Sequence, residues 1–153
     1  VIEYAKELKV SEEKLYRALA LSNLVAIHQK TGIGRLSAYC GAVCAGAAAG
    51  TGIAYLCGGG YAEVTHTVVN ALAITSGIVC DGAKASCAAK IAAAVDAGIL
   101  GYNMYIRGQQ FRAGDGIVTK SADETIRNVG RLGKDGMKET NDEIISIMVH
   151  DRC

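Results

Sequence analysis

Apolar and polar positions recur at helical spacing over most of the chain, and the pattern predicts six helices. Ser11 reads as an N-cap, and Glu12 and Glu13 follow where the positive end of a helix dipole favours acid. Leu15, Ala18, Leu19 and Val25 then share one face, so a helix is expected to about His28. Thr31-Gly32-Ile33-Gly34 reads as a break. A second helix is expected from Leu36 to Cys57, stopped by Gly58-Gly59-Gly60, and a third from Tyr61 to Val79. Asp81-Gly82 marks a turn. A fourth helix is expected over 83–96, where Cys87, Ile91 and Val95 stack at i, i+4 and i+8, ending at Gly98.

Residues 99–120 carry many glycines and no clear period. They read as a Gly-rich loop region with a short extended piece at 117–119. Ser121-Ala-Asp-Glu124 and Thr140-Asn-Asp-Glu143 both fit the capping box, which predicts helices over 122–132 and 141–149 separated by LGKDG. Residues 1–9 read as the end of a helix or a linker. The expected architecture is all-α: a compact bundle of about six helices forming one domain over residues 1–153.

Composition changes the picture in one place. From Leu36 to Ala62 there is no Asp, Glu, Lys, Arg or His, and 15 of these 27 residues are Ala or Gly. The run is long enough for a membrane span, but Leu36, Val43, Ile53 and Leu56 are its only large aliphatics, and Ala and Gly supply little insertion energy. A buried helix whose backbone is approached closely by its neighbours is the expectation, with no membrane partner.

Charge adds mainly exclusions. With 16 basic and 15 acidic residues, a net charge of +1 and few aromatic side chains, there is no basic footprint or stacking platform for nucleic acid. Six cysteines in 153 residues are too few for a disulfide-stapled scaffold, and VIEYAKELK has no signal-peptide pattern. Reduced thiols and a cytoplasmic location are therefore expected. The sequence does not begin with Met, so a fragment or processed subunit is expected.

Five of the six cysteines fall between Cys40 and Cys87, without any C-x-x-C pair, so a zinc ribbon has no support. Cys40 and Cys44, one helical turn apart, allow a small metal site. Packing as small apolar residues is the alternative, preferred for Cys44 and Cys57. On one straight helix Cys80 and Cys87 would stand about 10 Å apart, and a turn at Asp81-Gly82 would bring them together. TGIGR lacks the third glycine of a dinucleotide fingerprint. Just before an expected helix, though, Thr31, Gly32 and Gly34 offer amides to an anion such as a substrate carboxylate, with Lys30 and Arg35 flanking. His66 and Asn70 are one turn apart on the helix before Cys80 and are candidates for proton transfer, against the alternative of ordinary structural residues.

Several long blocks carry a family resemblance: HQKTGIGRLSAYCGAV, AYLCGGG, VVNALAITSGIVCDGAKASCAAKIAAAVDAGILGYNMY, GDGIVTK and NVGRLGKDGM. Together they resemble the C-terminal half of the L-cysteine desulfidase-like family, which is related to the α domain of iron–sulfur-dependent L-serine dehydratase. The resemblance implies a [4Fe–4S] cluster held by three cysteines, and the family's ligand spacing falls on Cys40, Cys80 and Cys87. It also implies β-elimination from L-cysteine or L-serine and a missing N-terminal domain or subunit that completes the site. Cys153 stands where related dehydratases place a terminal cysteine that caps the open iron; a frayed end is the alternative. A half-site exposed by the missing part favours self-association, so a homo-oligomer is expected. The competing reading is a non-catalytic helical subunit or interaction domain with structural cysteines.

Overall fold

Small residues set this architecture by letting helices pack backbone against backbone. A computed structural model describes residues 1–150. It contains α1 (Ile2–Glu7), α2 (Glu12–Ile33), α3 (Gly41–Leu56), α4 (Tyr61–Thr75), α5 (Ser86–Ile106), α6 (Ala122–Arg131), a π-helical turn (Leu132–Gly136) and α7 (Lys138–His150). Among the described residues there is no strand, only an isolated antiparallel bridge between Tyr39 and Val79. The expected all-α bundle is what forms.

α3 is the central helix, with Val43, Ala48 and Ala54 fully buried. It runs parallel to α5: Gly46 faces Ala94 and Gly50 faces Gly98. A Cβ on Gly46 would lie 2.3 Å from the Ala94 Cβ, and one on Gly50 would lie 2.5 Å from the Gly98 Cα. These distances explain the Ala/Gly excess, since larger side chains would force the two helices apart. On its other sides α3 is antiparallel to α2, where Gly52 meets the Ala18 carbonyl and Gln29 Nε2 reaches the Cys44 carbonyl at 3.4 Å. α4 returns antiparallel to α5, with Gly101 against Thr67 and Asn70. No helix among the described residues is long and apolar enough to cross a membrane.

Capping follows the sequence at two ends. The Ser11 hydroxyl accepts from the Lys14 amide at 3.3 Å, and the Ser121 hydroxyl from the Glu124 amide at 3.1 Å. Elsewhere boundaries move. α2 continues to Ile33 and stops at Gly34, whose φ of 92° suits glycine. Gly32 therefore lies inside the helix, where α6 approaches it at Gly130. α3 starts at Gly41, not Leu36. The Ser37 hydroxyl takes the Tyr39 amide at 2.9 Å and the Ile78 carbonyl takes the Cys40 amide at 3.1 Å, so these amides are spent outside a helix. Leu36 is left 94% exposed.

The same pairing ends α4 at Thr75 instead of Val79. α5 begins at Ser86 and runs ten residues past the expected end at Asp96, because Gly98 and Gly101 are contact surfaces and not stops. The Gly-rich loop shrinks accordingly to the residues between Ile106 and Ala122, with no strand at 117–119. LGKDG does not break the chain. It forms the π turn, and α7 starts at Lys138, which puts Thr140 inside the helix and removes its capping role.

Candidate metal centre

Three cysteines gather at one end of the bundle. Cys40 is the N-cap residue of α3 and is 5% exposed. Cys80 lies on the paired segment: its amide donates to the Ala38 carbonyl at 2.6 Å, while the Cys40 amide donates to the Ile78 carbonyl. Cys87 is the second residue of α5, and its thiol donates to the Gly82 carbonyl at 3.4 Å. The contacts Gly46–Ala94 and Gly50–Gly98 keep a constant offset of 48 between the parallel helices. Carried back to the helix starts, that offset sets Cys87 level with position 39, one residue from Cys40. Lys90, one turn into α5, lies within electrostatic range of both Cys40 and Cys87. The N-termini of α3 and α5 thus lie side by side.

The turn between Cys80 and Cys87 is built from charge. Asp81 pairs with both Lys84 and Lys90, and Lys90 Nζ also donates to the Val79 carbonyl at 2.8 Å. These hydrogen bonds, Lys84 first and Lys90 second, hold the Asp81 carboxyl well below the usual range. Gly82 has a φ of 93°, and Met148 of α7 packs over it, so the last described helix returns to this end. Cys40, Cys44, Cys57, Cys80 and Cys87 are free thiols. No group of three His, Cys, Asp or Glu among the described residues is gathered as a single-ion site.

The remaining cysteines separate by environment. Cys44 is buried, and burial pushes its thiol up to about 11, only partly opposed by Lys30. It stays protonated, as a packing residue does. Cys57 is at the far end of α3, seventeen residues from Cys40 or about 25 Å along the axis. Cys153 lies outside the described residues.

The structure does not bring His66 and Asn70 to the cysteines. The His66 ring stacks on Tyr105 with centroids 4.4 Å apart. Eighteen residues of α5 separate Tyr105 from Cys87, about 27 Å along the helix. Asn70 is fully buried; its Nδ2 donates to the Gly101 carbonyl at 2.9 Å and its Oδ1 accepts from the Phe111 amide at 3.0 Å. It ties α5 and the following loop to α4. α4 runs toward the cysteine end, but His66 and Asn70 lie on its earlier turns, opposite Tyr105 and Gly101 of α5. Lys30, Thr31, Gly34 and Arg35 share a shallow recess with Ile27, but they sit at the C-terminal end of α2. The Thr31 hydroxyl donates to the Ile27 carbonyl at 2.8 Å, and Gly32 faces Gly130. The expected helix N-terminus, with amides open to a carboxylate, is not formed there.

His66 still has a measurable consequence. Its Nδ1 is buried without a partner, and burial lowers its pKa, weakly opposed by Glu63. The unfolded chain takes up a proton below about pH 6.5 that the folded chain resists. Stability contributed by neutral His66 is therefore full above that pH, declines below it, and stops declining once the folded pKa is passed. His66→Phe keeps a stacking ring and removes the titration. The urea midpoint of the variant should fall less than that of the wild type between pH 7 and pH 5; equal falls would contradict this account.

Residues 1–146 match the family model described as "Serine dehydratase alpha chain". The chain belongs to the serine dehydratase alpha chain family. It is also similar to curated relatives named only as UPF0597 proteins. These include one from Desulfitobacterium hafniense (strain Y51), 71% identical over 150 residues, covering 98% of this chain and 35% of the relative. Others are from Lachnoclostridium phytofermentans, 55% identical over 150 residues (98% of this chain, 36% of the relative), and Treponema denticola, 52% over 151 residues (99% and 35%). The chain spans about a third of the length of these relatives. No solved structure matches it. Family membership agrees with the resemblance drawn from the sequence blocks. Lys90 and Asp81 were not singled out there as site residues; the signal available was Lys90 one turn after Cys87 and Asp81 directly after Cys80.

Proposed function

We propose that this chain is the cluster-binding part of an iron–sulfur-dependent lyase that eliminates the β-substituent of a small amino acid. The observation that carries the reading is the placement of Cys40, Cys80 and Cys87 at one end of the bundle, on the starts of α3 and α5 and on the segment paired to residues 38–40. The donor set suits a [4Fe–4S] cluster: three free thiols and a neighbouring carboxylate already engaged by two lysines. When bound, such a cluster supplies Lewis-acid chemistry to a hydroxyl or thiol leaving group through an iron with no protein ligand.

The chain's own residues hold and shield this site. Val43 and Ala47, on the turns of α3 after Cys40, are buried in the same apolar cluster as Cys40. Lys84 and Lys90 offset the negative charge of Asp81 beside the site. For removal of the α-proton, His66 belongs to the far end and His28 pairs with Asp123 at 3.0 Å, while His150 bonds the Ser146 carbonyl at 2.9 Å two residues past the Met148 that packs over Gly82. We assign that proton transfer, and the substrate carboxylate, to the part of the full-length protein beyond this chain. Lys30 and Arg35 remain candidates for binding the carboxylate only if that part extends over their recess. Cys153 as a cap on the open iron belongs to the same proposal.

L-serine would yield pyruvate and ammonia. L-cysteine with one water would yield pyruvate, ammonia and sulfide, and the resemblance favours this substrate. The test is to reconstitute the full-length protein without oxygen and measure pyruvate and sulfide from each amino acid. Pyruvate from at least one is expected, while a cluster-loaded protein that releases none from either contradicts the lyase reading.

A further inference from the structure

We propose that Lys90 is a positioning residue for the cysteine triad: it clamps the segment carrying Cys80 onto the first turn of the helix carrying Cys87. The inference rests on the metal-site reading above, but its geometry stands by itself. Lys90 Nζ donates to the Val79 carbonyl at 2.8 Å and pairs with the Asp81 carboxylate, so it holds the residue before Cys80 and the residue after it. Three residues separate Lys90 from Cys87, which puts both on one face of α5.

The Val79 carbonyl suits this role. In the bridge between Tyr39 and Val79, the ladder bonds are made by the neighbours, Cys40 to Ile78 and Cys80 to Ala38. Residues 39 and 79 are then the pair whose own amides and carbonyls point outward. Lys90 occupies that outward carbonyl, with its side chain 21% exposed. Lys84 differs. It is 50% exposed and, among the described residues, pairs with Asp81 alone, so it shares the charge without tying two segments together. Lys90 thus links three connections at once: the 38–40 bridge through Val79, the turn through Asp81, and α5 through its own backbone.

Groups that orient metal ligands from behind commonly change metal affinity by about 10–100-fold when removed. The test uses the full-length protein as wild type, Lys90→Met, Lys90→Arg and Lys84→Ala. Each is reconstituted anaerobically and read by iron and sulfide per chain and by its visible cluster absorption. Amide hydrogen exchange of 78–84 is followed in the cluster-free state. Lys90→Met is expected to lose most of its iron, roughly tenfold, and to speed exchange across 78–84. Lys90→Arg, which keeps charge and donors, should recover most of both, and Lys84→Ala should load like wild type. Should Lys90→Met fail to fold, Lys90→Gln takes its place: it keeps a polar donor, one bond shorter, but no ion pair, and reduced iron is again expected. Wild-type iron content and wild-type exchange in Lys90→Met or Lys90→Gln overturn the proposal. A wild-type protein that takes up no cluster contradicts the metal-site reading, whereas the exchange data still decide whether Lys90 is the clamp.

Discussion

Gly50→Ala is expected to destabilise the protein by about 2 kcal/mol net, although alanine is the better helix former. Two effects oppose each other. Alanine in a helix interior gains about 1 kcal/mol over glycine. Against this, its Cβ would stand 2.5 Å from the Gly98 Cα and 2.8 Å from the Gly98 carbonyl carbon. Those are backbone atoms that cannot rotate aside, so the overpacking cost falls at the upper end of its usual range, about 3 kcal/mol. Relief requires α3 and α5 to separate, and that separation would move Cys40 away from Cys87. Cluster content should therefore fall together with stability. Gly41→Ala is the matched control in the same helix, because nothing lies within 4 Å of a Cβ placed there. It should be neutral or stabilising by about 0.5 kcal/mol. Urea unfolding of both variants reads the result, and equal effects would contradict the close-packing account.

Loss of any one of Cys40, Cys80 or Cys87 is expected to cut iron by about tenfold or more, with the helical fold retained. Each thiol comes from a different connection: the start of α3, the bridge after α4 and the start of α5. None can replace another. Ser is the right substitute, since it is nearly isosteric and a far weaker ligand for iron. Cys44→Ala and Cys57→Ala should load like wild type, because one thiol is buried and held protonated and the other lies at the far end of α3. If Cys44→Ala loses as much metal as Cys80→Ser, a site at Cys40 and Cys44 would account for the data better.

Much of the fold is legible from local pattern. Ser11 and Ser121 act as caps, and Gly58 to Gly60 separate α3 from α4. Glycine is ambiguous by itself, because one sequence does not distinguish a helix stop from a helix contact. Gly34 does end a helix, at positive φ, while Gly32, Gly98 and Gly101 sit within helices where a neighbouring backbone comes close. Leu36 suggested a helix start because the apolar run begins there. The Ser37 hydroxyl and the pairing with 78–80 override it, and that pairing joins residues forty apart with no local mark.

The candidate site shows the same division. The resemblance picks out Cys40, Cys80 and Cys87, yet their common end depends on α3 and α5 being parallel. That follows only from the Gly46–Ala94 and Gly50–Gly98 contacts. His66 and Asn70 do share α4, but the antiparallel return of α4 along α5 turns them toward Tyr105 and Gly101. A one-turn spacing tells which side chains are neighbours on a helix, and the packing of the helices decides what they face.

The most direct test of the central claim counts iron and acid-labile sulfide in the full-length protein purified without oxygen, alongside Cys40→Ser, Cys80→Ser and Cys87→Ser. The account predicts about four of each per wild-type chain with cluster absorption in the visible, and loss of most of both in each variant. Near-stoichiometric zinc without sulfide, or iron that survives all three substitutions, would contradict it.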